Sequence, residues 1–450
     1  MVRENAWEVG NIPLAGGGGE IRTHEAFRPS GFQDRRIQPL CHPSGKLRSR
    51  ELCHRSGVEQ GVPDPNALDN AICSCELVCM GAGGKKKFRP VIEETPQSRE
   101  PIHGRGASWS PANRFEKFHV DLTDIDIVDE DLDADEKPRL ATQYFRDGTK
   151  TIIARNQSPD VGFETSINPY RGCEHGCIYC FARPTHEYLG FSAGLDFESR
   201  IMVKPNAPRL LEEELSSPKW KPQLMMMSGV TDCYQPIERK LKITRGCLEV
   251  LAKFRNPVGI LTKNRLVTRD IDILSELAQH KCAVVNLSVT TLDPKLQQIL
   301  EPRTSAPAAR LDAVAQLRAA GIPVGVMVAP VIPGINDHEI PAIVAACARA
   351  GARFAGHVLL RLPWAVRPLF EHWLDEHFPE RKAKVLDRLR ASRGGKLYDS
   401  SWRKRQIGEG IFADQIATMF EVSCRRAGMT ERPKLSTAAF RRPNEQLALL

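Results

Sequence analysis

Three cysteines stand close together in the run Cys173-Glu174-His175-Gly176-Cys177-Ile178-Tyr179-Cys180. The CxxxCxxC spacing, with an aromatic just before the last cysteine, sets three thiolates on one short loop. Three thiolates can hold three corners of a [4Fe-4S] cube and leave the fourth iron without a protein ligand. An open metal position is what a catalytic centre keeps and a closed structural one does not. Gly172 and Gly176 suit such a loop, because a residue without Cβ lets backbone approach a cluster closely. Zinc is the competing reading. Its tetrahedral site needs a fourth ligand, and His175 or His186 is near enough in sequence to supply one. Cys247, Cys282 and Cys347 lie in apolar segments, where cysteine behaves as a small hydrophobe.

A loop of this kind needs a scaffold, and the sequence around it alternates between two periods. Residues 163–169 read as a strand leading into the loop, with a β-rich stretch at 149–155 before it. Further strands are expected at 223–230, 257–262, 282–289, 322–331 and 354–362. Helices are expected at 206–215, 236–254, 268–280 (opened by a Thr268 cap), 309–320 and 338–350. Strands alternating with helices imply an α/β fold with a parallel sheet. Right-handed crossovers curl such a sheet into a full or partial barrel, whose chemistry sits at the C-terminal ends of the strands. After Pro363 the chain reads as helical and basic, with one long amphipathic helix at 370–393 and another at 412–427. The expected organisation is a leader at 1–85, an extended arm at 86–150, a barrel at 151–365, a helical extension at 366–430 and a flexible tail at 431–450.

The loop SINPYRGCEHGCIYCFARPTHEYLG, the turn SGVTDCYQP, and the segments TKN, LSVTT and LEPR together resemble one subgroup of the radical S-adenosylmethionine (SAM) superfamily, related to spore photoproduct lyase. The resemblance spans about residues 104–428. It implies a partial (β/α)6 barrel, a [4Fe-4S] cluster on Cys173, Cys177 and Cys180, and SAM on the open iron. It implies reductive cleavage of SAM to a 5′-deoxyadenosyl radical, with the electron coming from a flavodoxin- or ferredoxin-type partner.

SAM needs a carboxylate partner, ribose partners and an adenine slot, and each is expected just after a strand. Ser228, Thr231 and Asp232 stand where the family places small polar residues beside the SAM amino group. Lys263 can pair with its carboxylate, or be a solvated surface lysine. Asn286, Ser288 and Thr290 share one face by alternation, and Ser288 resembles the ribose-contacting position. Arg303 can clamp a carboxylate, or pair locally with Glu301. Val331, in an apolar turn stiffened by proline, resembles the adenine edge, with Tyr179 adding a contact from the loop. His357 and Arg361 are read as able to face substrate, although a core histidine is the commoner case. Where the lyase carries its hydrogen-donor cysteine this chain has Gly229, so Cys233 and Tyr234 are the candidates to relay a hydrogen atom.

The chain has 450 residues and a net charge of +8, with the basic excess after Arg361. That excess admits nucleic acid as a partner, and a DNA or RNA lesion as a substrate. Few aromatics interleave with those basic residues in sequence, so no stacking platform is evident there. No apolar run is long enough to span a bilayer and no secretory pattern opens the chain, so a reducing cytoplasm is expected. The stretch GGGGEIRTHEAFRPSGFQDRRIQPLCHPSG resembles a peptide from a conceptually translated tRNA gene, and residues 1–79 are expected to be a non-native leader. The alternative to an enzyme is a metal-knuckle protein that binds nucleic acid without catalysis.

Overall fold

The computed structural model describes residues 102–115 and 140–443. The expected leader and the acidic stretch at 121–135 lie outside these residues. The described residues form ten strands: β1 (Gln143–Arg146), β2 (Ile153–Arg155), β3 (Thr165–Ile167), β4 (Tyr170–Arg171), β5 (Arg200–Val203), β6 (Met225–Met227), β7 (Val258–Thr262), β8 (Ala283–Ser288), β9 (Val324–Val331) and β10 (Phe354–Leu359).

Seven of them form one sheet in the order β10-β9-β8-β7-β6-β3-β2. From β3 to β10 every neighbouring pair is parallel, and β2 alone runs antiparallel at the edge. Six parallel strands in sequence order need five crossovers of one hand. Right-handed crossovers put every helix on one face and curl the sheet around the other. The result is the expected open barrel of six β/α units. Alternation sorts its side chains. Met225, Met227, Ile260, Val285 and Val326 are fully buried under the helices, whereas Met226, Leu261, Asn286 and Met327 face inward and stay partly exposed.

A second, three-stranded sheet has the order β1-β5-β4. Alternation did not reveal it, because β4 has only two residues and β5 follows a five-residue helix, Leu195–Ser199. This small sheet brackets the cysteine loop. β4 leads directly into it, and the Cys173 amide donates to the Phe197 carbonyl (2.9 Å) on the return path.

Three of the expected helices differ: that at 236–254 is two, Glu238–Leu241 and Ile243–Phe254, parted at Lys242, whose φ is +54°. The 268–280 helix is preceded by a 3-10 segment, Arg265–Asp270, and the capping side chain is that of Asn264, which accepts from the Leu266 amide. The long helix at 370–393 is two helices, Val366–His377 and Pro379–Ala391. Pro379 lacks an N–H and pushes the residue before it out of the helical region; Phe378 sits at φ −144°.

The last helix, Ile411–Arg426, packs on the outside of β10 and on the helix Ile340–Arg349. Here His357 points outward. Its ring lies 4.4 Å from that of Phe420, so it faces this helix and not the barrel interior. Burial lowers its pKa to about 4, so the folded protein holds it neutral. The unfolded chain takes up that proton first, near 6.5. His357 therefore contributes stability above that value, and loses it as pH falls from about 6.5 towards 4. The urea midpoint of His357→Leu is expected to fall less between pH 7 and pH 5 than that of the parent. An equal fall would show that other groups dominate the acid limb.

Candidate active site

The cysteine loop is held from both sides. Arg183, fully buried, donates to the carbonyls of Cys177 (3.0 Å), Gly176 (3.3 Å), Gly194 (3.0 Å) and Ala193 (3.1 Å), and pairs with buried Glu198. The Glu198 carboxylate also accepts from the amides of Gly106 (3.0 Å) and Ala107 (2.9 Å). The arm, expected to be extended, is thus docked against the loop at residues 105–107, and Ala107 and Trp109 share a buried apolar cluster with Cys177 and Ile178. A Cβ on Gly106 would lie 1.7 Å from the Gly176 carbonyl oxygen. Gly106→Ala is therefore expected to release the arm, at a cost of about 1–3 kcal/mol from overpacking. Limited proteolysis should then cut within residues 102–115 several-fold faster. Unchanged cleavage would show that the arm contributes nothing to the loop.

Cys173 and Cys177 are buried, Cys180 is partly exposed, and all three are free thiols. They are close enough for thiolate charge on one to raise the pKa of the next, and burial pushes both Cys177 and Cys180 up. Such thiols stay protonated unless a metal takes them as thiolates.

Of the two histidines that zinc could use, His175 is engaged at both ring nitrogens and His186 at one, its Nδ1 being buried without a hydrogen-bond partner. His175 Nδ1 lies 3.3 Å from the Asp232 carboxylate and its Nε2 lies 3.3 Å from the Asn264 amide. Burial pulls its pKa down, but Asp232 and then Cys173 outweigh that and raise it to about 10. His186 Nε2 bonds the Arg200 carbonyl (2.9 Å) while its ring packs against Phe191 and Phe197. Among the described residues, no three His, Cys, Asp or Glu side chains converge as a single-ion site requires.

The strand ends place the remaining candidates as follows. Asp232 is saturated: it accepts from the amides of Tyr234 (2.9 Å) and Lys263 (2.8 Å) and from the Thr262 hydroxyl (2.8 Å), besides His175. It pins the end of β7 to the cysteine loop, and these donors with His175 hold it down at about 2 against the burial that would raise it. Thr231 donates to the Gly172 carbonyl (2.6 Å). Ser228, at the end of β6, has φ +80° and accepts from the Cys233 amide (2.9 Å).

Cys233 and Tyr234 are turned away by that same Asp232-capped turn. Both are 0% exposed in the core behind the sheet, and the Tyr234 hydroxyl donates to Asp270 (3.0 Å). As relays at the reaction space they are corrected by this placement. Val331 is also core, 0% exposed. The register slips between His357 and Leu359 opposite it, and this bulge returns Val331 to the helix side.

Arg303 pairs with Glu174 and not with Glu301. Its guanidinium lies 3.4 Å from Glu174 and 3.2 Å from the Thr142 hydroxyl. Glu301 is instead the hub of a buried network that the sequence did not reveal. It accepts from the Tyr179 hydroxyl, from Thr290 (2.5 Å) and from Arg310, which also holds the Ser288 carbonyl (2.9 Å). Tyr179 thus joins the loop to the ends of β8 and β9 through its hydroxyl. Burial raises the Glu301 pKa, but Arg310 and Lys263 more than offset this and hold it below its usual value.

Two groups here are unengaged. Among the described residues, neither the Lys263 ammonium nor the Ser288 hydroxyl makes a hydrogen bond or ion pair. The Lys263 Nζ stands 5.8 Å from the Tyr179 ring centroid. Burial lowers its pKa, but Cys177 and Glu301 raise it further, so it is charged. Three thiols, one unpaired cation and one free hydroxyl therefore gather at the C-terminal ends of β7 and β8. This donor set fits a thiolate-held cluster and a cosubstrate bearing a carboxylate and hydroxyls.

An open parallel barrel with a cysteine loop after its first strand defines a class, and comparison with known proteins agrees. The Radical SAM superfamily model matches residues 167–347. An uncharacterized protein of Mycobacterium tuberculosis (strain H37Rv) is 38% identical over 242 residues, covering 53% of this chain and 71% of that protein. An uncharacterized protein of Methanocaldococcus jannaschii is 31% identical over 225 residues, covering 50% of this chain and 80% of that protein. Spore photoproduct lyase complexed with dinucleoside spore photoproduct aligns in structure at 17% identity and a TM-score of 0.44, covering 63% of this chain and 77% of that chain. The chain belongs to the radical SAM superfamily, whose cofactors are a [4Fe-4S] cluster and SAM. Among the described residues no helix is long and apolar enough to cross a membrane.

Proposed function

We propose that this chain is a radical SAM enzyme in which Cys173, Cys177 and Cys180 hold the cluster. Lys263 pairs with the SAM carboxylate and Ser288 meets its ribose. The observation that carries this reading is the unpaired Lys263 ammonium facing the loop of three free thiols. Such a cluster would supply the one-electron reduction, drawn from a flavodoxin- or ferredoxin-type donor, that cleaves SAM to methionine and a 5′-deoxyadenosyl radical able to take a hydrogen atom from substrate.

The chain's own residues do the positioning. Arg183 and Glu198 fix the loop backbone. Asp232 ties the loop, through His175, to the end of β7. Glu301 ties it, through Tyr179, to β8 and β9. Trp109 and the C-terminal helices seal its apolar side against water and oxygen. A nucleic-acid lesion is the substrate class that the basic excess supports. Lys263→Met tests the assignment: the SAM concentration for half-maximal 5′-deoxyadenosine formation should rise about ten-fold or more, as loss of a charge-assisted contact requires, with iron content retained. An unchanged SAM requirement would remove Lys263 from the site.

A further inference from the structure

Among the described residues, the exposed large aromatics are Phe115, Tyr144, Phe145, Phe181, Tyr188, Trp364 and Trp402. They come from the arm and the segments next to it, from the flank of the cysteine loop, and from the chain after β10. The other large apolar side chains that are exposed, Val230, Leu241, Ile407 and Ile411, are aliphatic. Three arginines lie on these rings. The Arg361 guanidinium is 4.8 Å from the Phe181 centroid, that of Arg405 is 4.0 Å from Trp402, and that of Arg114 is 4.3 Å from Trp364 and 5.4 Å from Tyr188.

The pieces adjoin. Phe181 directly follows Cys180, and Tyr188 is two short helical turns further on. Arg361 and Trp364 share the turn after β10. Arg361 also interacts electrostatically with Arg405 and Arg393; the carboxylates facing these three are Asp160, paired with Arg405, and Asp399, beside Arg393. The Nε atoms of Arg361 and Arg393 are buried without a hydrogen-bond partner. Two carboxylates for three guanidiniums leave an excess of one positive charge that an anion would neutralise. Trp364 adds a second sign of function. It is half exposed and sits at φ +43°, a left-handed backbone that a bulky residue rarely adopts.

We propose that this rim of rings and guanidiniums binds single-stranded nucleic acid, with unpaired bases stacked on the aromatic faces and phosphates on the arginines. Bases offer their faces only when unpaired, and every base has such a face, so the surface selects single strands with little sequence preference. Alternating rings and guanidiniums are complementary to alternating bases and phosphates. The inference rests on the enzymatic reading above, because the rim begins at the residue after Cys180 and would deliver its strand to that loop.

The test is fluorescence anisotropy of full-length, cluster-loaded protein with a fluorescein-labelled single-stranded oligothymidylate. A blunt duplex, phosphatidylserine vesicles and polyglutamate serve as the other anions. The single strand is expected to bind, to quench tryptophan emission, and to weaken linearly with log salt. Trp364→Ala combined with Trp402→Ala should weaken it about ten-fold or more, from loss of stacking. Arg361→Gln should reduce the salt slope by about one. Trp402→Phe should restore most of the affinity lost in Trp402→Ala, which a folding defect would not allow. The proposal is overturned if the duplex binds as well as the single strand, if vesicles or polyglutamate bind better, or if the tryptophan substitutions leave affinity unchanged. Release of 5′-deoxyadenosine by the parent protein without any oligonucleotide reports separately on the enzymatic reading.

Discussion

Cys177→Ala is expected to abolish cluster binding, reducing iron from about four per chain to a residual fraction and eliminating 5′-deoxyadenosine formation. Cys177 is the middle one of the three cysteines in the loop. Its carbonyl is held by Arg183 and its side chain packs with Trp109 and Ile178. Two remaining cysteines cannot hold three corners of a cube. The iron left without a thiolate would need a new ligand, and His175, the histidine within the loop, is engaged at both ring nitrogens. The substitution removes one sulfur from a well-buttressed loop, so the fold should survive and circular dichroism should be unchanged. Iron and sulfide analysis beside SAM turnover checks it. Full iron in the variant would place the cluster elsewhere.

Glu301→Ala is expected to have the largest effect on stability of any single substitution in the network. Arg310 is 1% exposed and Glu301 is 0% exposed. Removing the carboxylate leaves a guanidinium buried with only neutral acceptors, and such an orphaned charge costs about 3–5 kcal/mol. It also strips the Tyr179 and Thr290 hydroxyls of their shared acceptor, so the cysteine loop loses its tie to β8 and β9. The expected outcome is a large fall in the urea midpoint together with faster loss of iron on exposure to a chelator. Replacing Glu301 and Arg310 together by Gln and Met should recover part of the stability but not the cluster retention, because no acceptor for Tyr179 of equal charge returns. A single-variant loss below about 1 kcal/mol would mean that the network is solvated rather than buried.

The barrel was legible because most of its strands are short apolar runs bounded by turn residues, and because the loop carries its spacing in eight consecutive positions. What escaped did so for identifiable reasons. Glu301 stood in view beside Arg303, but a sequence gives no sign that a carboxylate reaches Arg310 nine residues on and Tyr179 on another element. The cap Asp232 looked like a cofactor contact because turn capping and ligand binding use the same residue type. The turn it builds sends Cys233 and Tyr234 into the core. Val331 moved faces because of one bulge, and alternation cannot survive a slip of one residue. The aromatic rim is assembled from positions near 114, 181–188, 361–364 and 402, too far apart in the chain for any local pattern to reveal.

The most direct measurement is turnover of SAM by anaerobically reconstituted protein. Iron and sulfide would be quantified, the protein reduced with dithionite, SAM added and 5′-deoxyadenosine measured. About four irons per chain and slow release of 5′-deoxyadenosine that requires both reductant and SAM is the predicted result. Zinc in place of iron, or a complete cluster that neither binds nor cleaves SAM, would contradict the assignment of this loop as a radical-generating site.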